Sequence, residues 1–272
     1  MPELPEVETT LRGILARLRD RTVATVVVRE TRLRWPIPAE FSAHIQGQAI
    51  TDIQRRGKYL LFRFPRGTLL VHFGMSGSLR FAAEADDPPK KHDHIDLVMG
   101  NGQILRYHDP RRFGGFLWIG SDPLKHESLR RLGQEPLDAQ FHGDDLYHRS
   151  RGKRLSVKKF IMDGDAVVGV GNIYANEALY RAGISPARQA GRVGLARYRA
   201  LAESVREVLQ EAIDKGGTTL RDYMNSSGDA GQFQIELFVY GRAGEPCRKC
   251  GRLITLSRVG RRSTFFCRDC QR

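Results

Sequence analysis

The first residues of the chain carry groups that can do covalent chemistry. Met1 is normally removed when a small residue follows it, and its removal would give Pro2 a free secondary amine. An α-amine has a pKa of about 8, and its unprotonated form can attack a carbonyl or a sugar C1′ to form an iminium. Glu3 is adjacent as a proton donor or acceptor. We predict that Pro2 is a nucleophile; the alternative is that the prolines only begin a helix and the carboxylates only cap it.

Further candidate side chains lie in the first half of the chain. Lys58 follows Arg55-Arg56-Gly57 at a strand start, where the basic cluster either contacts a phosphate or is a solvated strand end. His92 lies in the segment Lys-Lys-His-Asp-His, where phosphate contact or solvation fits better than a metal site. Met75 lies between glycines and is either an apolar wedge or a side chain that fills the core. Arg111 and Phe113 share one loop, which predicts either contact with bases or an ordinary turn with the phenylalanine inside.

All four cysteines lie within the last 26 residues and have the spacing of a zinc site. Cys247 and Cys250 form one C-x2-C pair, Cys267 and Cys270 form the other, and 16 residues separate the pairs. Four thiolates predict a closed tetrahedral Zn2+ site with a structural role. Between the pairs, Leu253–Arg258 and Ser263–Phe266 are predicted to form a hairpin. From Gly241 onward nine basic residues face two acidic ones, so we predict that this hairpin contacts nucleic acid; the alternative is that it only stabilises the fold.

An amphipathic helix must hold the N-terminal residues in place. Apolar residues recur at three- and four-residue spacing from Val7 to Leu18, and Pro5 suits the first helical position. Burial of that apolar face would hold the chain terminus still, as a catalytic amine requires.

The next hundred residues consist of short apolar segments separated by turns, which predict β-strands. The predicted strands are Thr22–Arg29, Ile50–Arg56, Lys58–Phe64, Thr68–Phe73, Ser78–Phe81, His94–Met99, Gln103–His108 and Gly115–Ile119. Many short strands joined by tight turns predict an antiparallel sandwich or barrel, with the first helix packed against it.

The pattern becomes helical after about residue 123, which predicts a domain boundary between 120 and 135. Helices are predicted at Leu155–Asp163, at Asn172–Ala182 and from Leu195 to Gly216. The glycine-rich turn before Asn172 predicts a phosphate contact rather than a nucleotide cofactor. The polar segment 217–231 predicts a mobile lid, with disorder without function as the alternative.

The composition indicates a polyanionic partner. The 272 residues include 44 Lys and Arg against 31 Asp and Glu, a net charge of +13. Such a charge favours nucleic acid, although a ribosomal or membrane-surface protein would share it. The sequence contains neither an 18-residue apolar run nor a signal peptide, so we expect a soluble cytoplasmic protein without a membrane partner.

Together these motifs resemble those of the bacterial formamidopyrimidine-DNA glycosylases, also called 8-oxoguanine DNA glycosylases, and the resemblance extends over the whole chain. The shared motifs are Met-Pro-Glu-Leu-Pro-Glu-Val-Glu, Gly57-Lys58, His-Phe-Gly-Met-Ser-Gly-Ser, Lys-His-Asp-His, Asp-Pro-Arg-Arg-Phe-Gly, Gly-Val-Gly-Asn-Ile-Tyr-Ala and the four-cysteine finger.

The resemblance implies an α+β protein with DNA bound in the cleft between its domains. The implied parts are an N-terminal β-sandwich with an N-terminal helix at 1–120, a helical helix-two-turns-helix domain at 121–236 and a β-hairpin zinc finger at 237–272. By the same resemblance Pro2 attacks C1′ of the damaged nucleotide and Glu3 protonates the sugar ring oxygen. Lys58 assists β-elimination, and Arg262 serves δ-elimination.

The resemblance also implies how DNA is held. His92, Arg111, Lys153 and Asn172 fall at DNA-contacting positions of the family. Met75, Arg111 and Phe113 match the three residues that fill the space left by an everted base, and residues 218–231 match the lid over the lesion. The expected partner is double-stranded DNA with oxidised purines or abasic sites, bound by a monomer that contains one structural Zn2+.

Two alternatives stay open at this stage. A related endonuclease VIII-like glycosylase would prefer oxidised pyrimidines, but Leu4 and the complete set of Met75, Arg111 and Phe113 favour the purine enzyme. A non-catalytic zinc protein that binds nucleic acid would explain the charge and the finger. It would give no reason for a Pro-Glu terminus combined with Lys58.

Overall fold

The computed structural model describes residues 2–82, 87–217 and 236–272. The chain divides into two compact units, Met1–Arg130 with Lys215–Gln234 and Arg131–Asp214 with Ile235–Arg272. The predicted lid lies, apart from Gly217, outside the described residues. Among the described residues, no helix combines the length and the apolar character needed to cross a membrane.

The first helix, α1, spans Leu4–Leu18 and begins one residue before the predicted Pro5. Glu3 is its N-cap residue, and the Glu3 N–H donates to Glu6 Oε2 at 2.8 Å, which satisfies one of the amides that a helix start leaves unpaired. The apolar face is buried as the spacing predicts, with Val7 1% exposed and Leu18 0% exposed. The N-terminal residues are therefore held by a packed helix.

All eight predicted strands are present, with ends within two residues of the prediction. They are β1 Val23–Val28, β2 Asp52–Arg56, β3 Tyr59–Phe64, β4 Gly67–His72, β5 Ser78–Phe81, β6 Asp93–Met99, β7 Ile104–His108 and β8 Gly115–Ile119. They form two four-stranded antiparallel sheets with the orders β1-β6-β7-β5 and β2-β3-β4-β8. Apolar side chains from both sheets and from α1 form one core, which confirms the predicted sandwich.

A buried ionic network stabilises the sheet β1-β6-β7-β5. Arg106 Nε donates to Asp96 Oδ1 at 2.9 Å, and Arg80 Nη2 donates to Asp93 Oδ2 at 3.0 Å. Burial alone raises the pKa of Asp93, but hydrogen bonds from His108 and from the Lys90 N–H, with the charge of Arg80, hold that pKa at about 2. The structure therefore keeps Asp93 ionised at neutral pH.

Because of this network, the free energy of unfolding depends on pH. The pKa of Asp93 is about 2 in the folded protein and about 3.9 in an unfolded chain. Its contribution is thus fully present above about pH 4 and is lost as the pH falls towards 2. We expect the difference in urea midpoint between the wild type and Asp93→Asn to shrink over that interval. A difference that stays constant with pH would contradict the low pKa.

Helices dominate the second unit. They are α4 Gly143–Ser150, α5 Val157–Ile161, α6 Asn172–Arg181 and α7 Leu195–Asp214, and the first unit also contains the short helices α2 Phe41–Ile45 and α3 Glu127–Arg130. Helix α5 is shorter than the predicted helix Leu155–Asp163, and α2, α3 and α4 were not predicted. Helix α4 is polar and Leu146 is its single buried apolar side chain, so the helix is stabilised by its contact with α7 and shows no apolar period in the sequence.

The C-terminal hairpin consists of β9 Thr255–Val259 and β10 Arg262–Phe266. Its two-residue turn places Gly260 at φ 56° and Arg261 at φ 65°. Positive φ at both turn residues is the type I′ geometry that matches the twist of paired strands. The first strand begins and ends later than the predicted Leu253–Arg258, and Arg262 is the first residue after the turn.

Candidate active site and zinc centre

The side chain of Arg55 links the helix that begins at the N-terminus to the turn that carries Lys58. Arg55 Nε donates to Glu8 Oε2 on α1 at 2.8 Å, and Arg55 Nη1 donates to the Gly57 carbonyl at 3.2 Å. Burial raises the pKa of Glu8, but the hydrogen bonds and charges of Arg55 and Arg12 lower it overall. The sequence left open whether this basic segment contacts a phosphate or is solvated; in the structure Arg55 connects α1 to the Lys58 turn.

Pro2 and Glu3 lie at the start of α1, and both are buried, Glu3 with 2% exposure. Met1 precedes Pro2 in the sequence, so the Pro2 nitrogen becomes a secondary amine only after Met1 is removed. Lys58 is half-buried immediately before β3. The N-cap position of Glu3 is compatible with its predicted role as a proton donor or acceptor, because a capping carboxylate keeps its ability to exchange a proton.

Met75, Arg111 and Phe113 are all at the surface of the first unit. Met75 is 36% exposed and Phe113 is 48% exposed, so neither fills the core as the alternative interpretations had it. The Arg111 guanidinium carbon lies 4.9 Å from the centre of the Phe113 ring, within range of a cation–π contact. Met75 and Phe113 are therefore both accessible to solvent on the first unit.

The buried carboxylate of Asp109 holds together the two loops that carry these three residues. Asp109 Oδ1 accepts hydrogen bonds from Ser76 Oγ at 2.6 Å and from the Arg111 N–H at 3.2 Å. Its other oxygen, Oδ2, accepts from the Tyr107 hydroxyl at 3.0 Å and from the Gly114 N–H at 2.9 Å. Ser76 adjoins Met75, and Gly114 adjoins Phe113. We name Ser76, Tyr107 and Asp109 the loop clamp.

Two glycines allow these loops to approach closely. A Cβ on Gly74, at φ 61°, would lie 2.2 Å from the Phe113 carbonyl carbon, and a Cβ on Gly114 would lie 1.8 Å from the Tyr107 hydroxyl. No larger residue fits at either position without moving the backbone. The glycines of the two motifs therefore serve the contact between the loops.

Histidines next to the clamp have distinct roles. His92 is half-buried, while His94 is buried and its Nε2 is hydrogen-bonded to the Asp109 carbonyl at 2.8 Å. Burial and the nearby charges of Arg34 and Lys58 lower the pKa of His72 to about 4, so this ring is neutral at pH 7. Its Nδ1 accepts a hydrogen bond from the Gly74 N–H at 3.0 Å, which orients the start of the Met75 loop.

The four cysteines come together as a metal site requires. Their sulfur atoms all lie within 4.8 Å of one another. Tetrahedral Zn2+ with metal–sulfur bonds of about 2.3 Å separates its ligands by about 3.8 Å. The Cys247 and Cys270 sulfurs are 3.9 Å apart, and those of Cys250 and Cys267 are 3.4 Å apart. The Tyr180 hydroxyl lies 3.2 Å from the Cys247 sulfur, as an outer hydrogen bond that orients a ligand.

The second unit contains the remaining candidates. Lys153 and Arg262 are exposed, and Asn172 is half-buried at the first position of α6. Asn172 Nδ2 donates to the Ser263 carbonyl at 3.1 Å, so this side chain contacts the hairpin next to Arg262. The Glu177 carboxylate on the same helix accepts three backbone N–H bonds, from Phe238, Val239 and Tyr240, and it ties α6 to the segment before the finger.

Known proteins match this chain over its whole length. Three family models match it: the formamidopyrimidine-DNA glycosylase N-terminal domain at residues 1–116, the H2TH domain of that family at 132–224, and the zinc finger found in FPG and IleRS at 244–272. A formamidopyrimidine-DNA glycosylase from Alkalilimnicola ehrlichii is 58% identical over 277 residues, and one from Methylococcus capsulatus is 55% identical over 272; both alignments cover 100% of each chain.

The chain belongs to the formamidopyrimidine-DNA glycosylase family. It is a DNA repair glycosylase, and therefore an enzyme, with a structural zinc site. Solved structures share its fold. The MutM (Fpg) protein from Thermus thermophilus is 38% identical with a TM-score of 0.87, covering 99% of this chain and 98% of that one. The Lactococcus lactis Fpg in complex with DNA that contains an abasic site is 33% identical with a TM-score of 0.91, covering 99% of each chain.

The zinc site allows a direct prediction. Because a four-thiolate site couples metal binding to local folding, Cys250→Ser should release Zn2+ and disorganise the hairpin. We expect the purified variant to contain less than one zinc per chain and to bind duplex DNA at least about tenfold more weakly. Metal analysis and a binding titration test this. Unchanged affinity after zinc loss would mean that the hairpin does not contact DNA.

The sequence interpretation did not identify the residues that position the candidates. It gave Ser76, Tyr107 and Asp109 no individual role and did not distinguish Arg55 from its basic neighbours. A buried carboxylate between two loops leaves little trace in sequence, because its partners are 33 positions away for Ser76 and partly backbone for the rest. The one available signal was that Ser76 lies between two glycines and that Asp109 begins a motif that ends in a glycine.

Proposed function

We propose that this glycosylase excises oxidised purines such as 8-oxoguanine and formamidopyrimidines from duplex DNA and then cleaves the strand at the resulting abasic site. The observation that carries the proposal is the bridge by Arg55 between Glu8 and the Gly57 carbonyl. This bridge fixes α1, whose start carries Pro2 and Glu3, to the turn that carries Lys58. Residues that act in one reaction centre need such a common support.

Base excision begins at the amine that Met1 removal creates. The Pro2 nitrogen forms a bond to C1′ as the bond from C1′ to the base breaks, and the base leaves with the electron pair and takes up a proton. Glu3 donates a proton to the ring oxygen O4′, the bond from C1′ to O4′ opens, and loss of the amine proton leaves an iminium. Glu3 adjoins Pro2 in the chain and is buried, so its carboxyl group is shielded from bulk water beside the amine.

Strand cleavage follows from the iminium, which draws electrons away from C2′. Removal of a C2′ proton, assisted by Lys58, expels the 3′ phosphate by cleavage of the bond from C3′ to oxygen. Removal of a C4′ proton then expels the 5′ phosphate by cleavage of the bond from C5′ to oxygen, with Arg262 stabilising the departing charge. Water finally releases Pro2 from the sugar fragment.

DNA contact is assigned to both units. A base inside a duplex is out of reach, so the enzyme must evert it at a cost of a few kcal/mol. Met75, Arg111 and Phe113 would fill the vacated space, and their exposure supports this role. His92, Lys153 and Asn172 would hold phosphates, Lys153 as a cation and the other two as N–H donors.

We propose three domains: a catalytic β-sandwich domain at 1–120, a helical helix-two-turns-helix DNA-binding domain at 121–236 and a four-cysteine zinc finger at 237–272. We further propose that the protein is cytoplasmic. We also propose that it acts as a monomer, because one duplex needs only one such protein.

Borohydride trapping tests the proposed chemistry. The protein with Met1 removed should form a covalent adduct with a duplex containing 8-oxoguanine opposite cytosine, because borohydride reduces an iminium. Mass mapping should place that adduct on Pro2, and Pro2→Gly should abolish or displace it. No adduct, or an adduct unaffected by Pro2→Gly, would instead favour a protein that only binds DNA.

The choice of lesion is tested in parallel. Duplexes with 8-oxoguanine and with thymine glycol are compared under single turnover at equal enzyme concentration. We expect faster release of the purine, and a clear preference for thymine glycol would assign the chain to the enzymes of oxidised pyrimidines.

A further inference from the structure

Lys158 is a fully buried lysine that the proposed chemistry does not use. It lies in α5 with 1% exposure, although lysine is rarely buried unless hydrogen bonds or charges compensate for lost water. Its Nζ donates to the Ser263 carbonyl at 2.9 Å and to Thr264 Oγ1 at 2.8 Å. Both acceptors belong to β10, just after Arg262.

The contact continues to Arg262 itself. Thr264 is 0% exposed, and its Oγ1 donates to the Arg262 carbonyl at 3.0 Å. A chain of hydrogen bonds therefore runs from Lys158 through Thr264 to the backbone of Arg262. In a buried setting such a chain holds the groups that it connects in one geometry.

Helix α6 supports the same strand. The Ser263 carbonyl also accepts from Asn172 Nδ2 at 3.1 Å, and the Phe265 N–H donates to Asn176 Oδ1 at 3.0 Å. The three residues after Arg262 are thus each held by a side chain from α5 or α6.

Zinc does not explain this end of the hairpin. Cys267 follows β10, and five residues of strand from Arg262 to Cys267 span about 17 Å. An isolated two-stranded hairpin is marginally stable in water. The metal site anchors one end, so the end with Arg262 needs its own attachment.

We propose that Lys158 is a positioning residue for Arg262: it fixes the backbone from which the exposed guanidinium reaches the DNA phosphate that leaves in δ-elimination. The inference rests on the proposed function of Arg262. A guanidinium on a strand that can shift loses the alignment that a single leaving phosphate requires, whereas Pro2 chemistry in the other unit does not depend on it.

The experiment compares the products of strand cleavage. Wild type, Lys158→Met and the control Lys159→Met act on a duplex with a preformed abasic site. Lys159 is the adjacent exposed lysine, and its Cδ lies close to Gly260 at the hairpin turn. It takes no part in the hydrogen bonds from Lys158 through Thr264 to Arg262, so its replacement removes the same charge and leaves this relay intact. Denaturing gels separate the β-elimination product from the δ-elimination product, while borohydride trapping reports iminium formation and metal analysis reports the finger.

We expect Lys158→Met to lower the ratio of δ- to β-product at least about tenfold, as misplacement of a reacting group commonly does, while trapping and zinc content stay within about twofold of wild type, because those chemical groups are untouched. Lys159→Met should keep the wild-type ratio. An unchanged ratio in a zinc-loaded Lys158→Met protein would overturn the proposal.

A second pair of variants decides the matter if Lys158→Met does not fold. Thr264→Val removes the relay hydroxyl at nearly constant volume, and Thr264→Ser restores it. The valine variant should show the lowered ratio and the serine variant should recover it; equal ratios would overturn the proposal. If wild type itself forms no trapped adduct, it is the proposed function that fails.

Discussion

Glu3→Gln should lower the rate of base excision from duplex DNA by at least about a thousandfold, within the range that general acid catalysis contributes. Glutamine has nearly the same shape and its side-chain oxygen can still accept a hydrogen bond at the helix start, but it has no proton to donate to O4′. The measurement is single-turnover release of 8-oxoguanine at saturating enzyme. Duplex affinity should remain close to that of wild type.

The controls separate chemistry from folding. Glu203→Gln makes the same change at an exposed position on α7 and should leave excision unchanged. Cleavage of a preformed abasic site should suffer less in Glu3→Gln than base excision does, because the base has already left. Excision retained by Glu3→Gln would show that Glu3 is only the helix cap.

Asp109→Asn should produce the second-largest effect, through the loop clamp. The carboxylate accepts four hydrogen bonds, whereas an asparagine amide turns one nitrogen towards two of the donors. Hydrogen bonds to a charged group contribute about 1.5–3 kcal/mol each, so we expect the free energy of unfolding to fall by about 3 kcal/mol. Urea unfolding measures this term.

The functional effect distinguishes a positioning role from stability alone. Loops that no longer hold Met75 and Phe113 in place should slow excision from duplex DNA at least about tenfold, since eversion depends on filling the stack. Cleavage of a single-stranded abasic site, which needs no eversion, should change much less. The control is Asp122→Asn, which alters an exposed aspartate 3.4 Å from Lys125 and should have little effect on either. Equal losses on both substrates would argue against the clamp.

Some of the features behind these predictions can be recognised in the sequence, and others cannot. The eight strands and the long α7 could be predicted because their apolar residues alternate or recur with the period of the element, and this period is a local property. Helix α4 could not, because its polar residues owe their helical state to contact with α7 and to the bond from Arg199 to Asp144 at 2.8 Å. The first helix was one residue off because an N-cap depends on the geometry of Glu3 and Glu6.

The site divides in the same way. The residue types that can do chemistry, Pro2, Glu3, Lys58 and the four cysteines, are readable from sequence because reactivity and metal preference belong to the side chain and its local spacing. Which way Met75 and Phe113 point was left open, and only the packed sandwich places both at the surface.

By itself the sequence determined the family, the zinc ligands and the candidate chemical groups, because short motifs in a fixed order encode them. Only the tertiary structure decided what holds those groups: Arg55 between α1 and the Lys58 turn, Asp109 between two loops, and Lys158 behind Arg262. The physical reason is that buried hydrogen-bond networks join residues far apart in the chain, and their partners are often backbone atoms that every residue possesses.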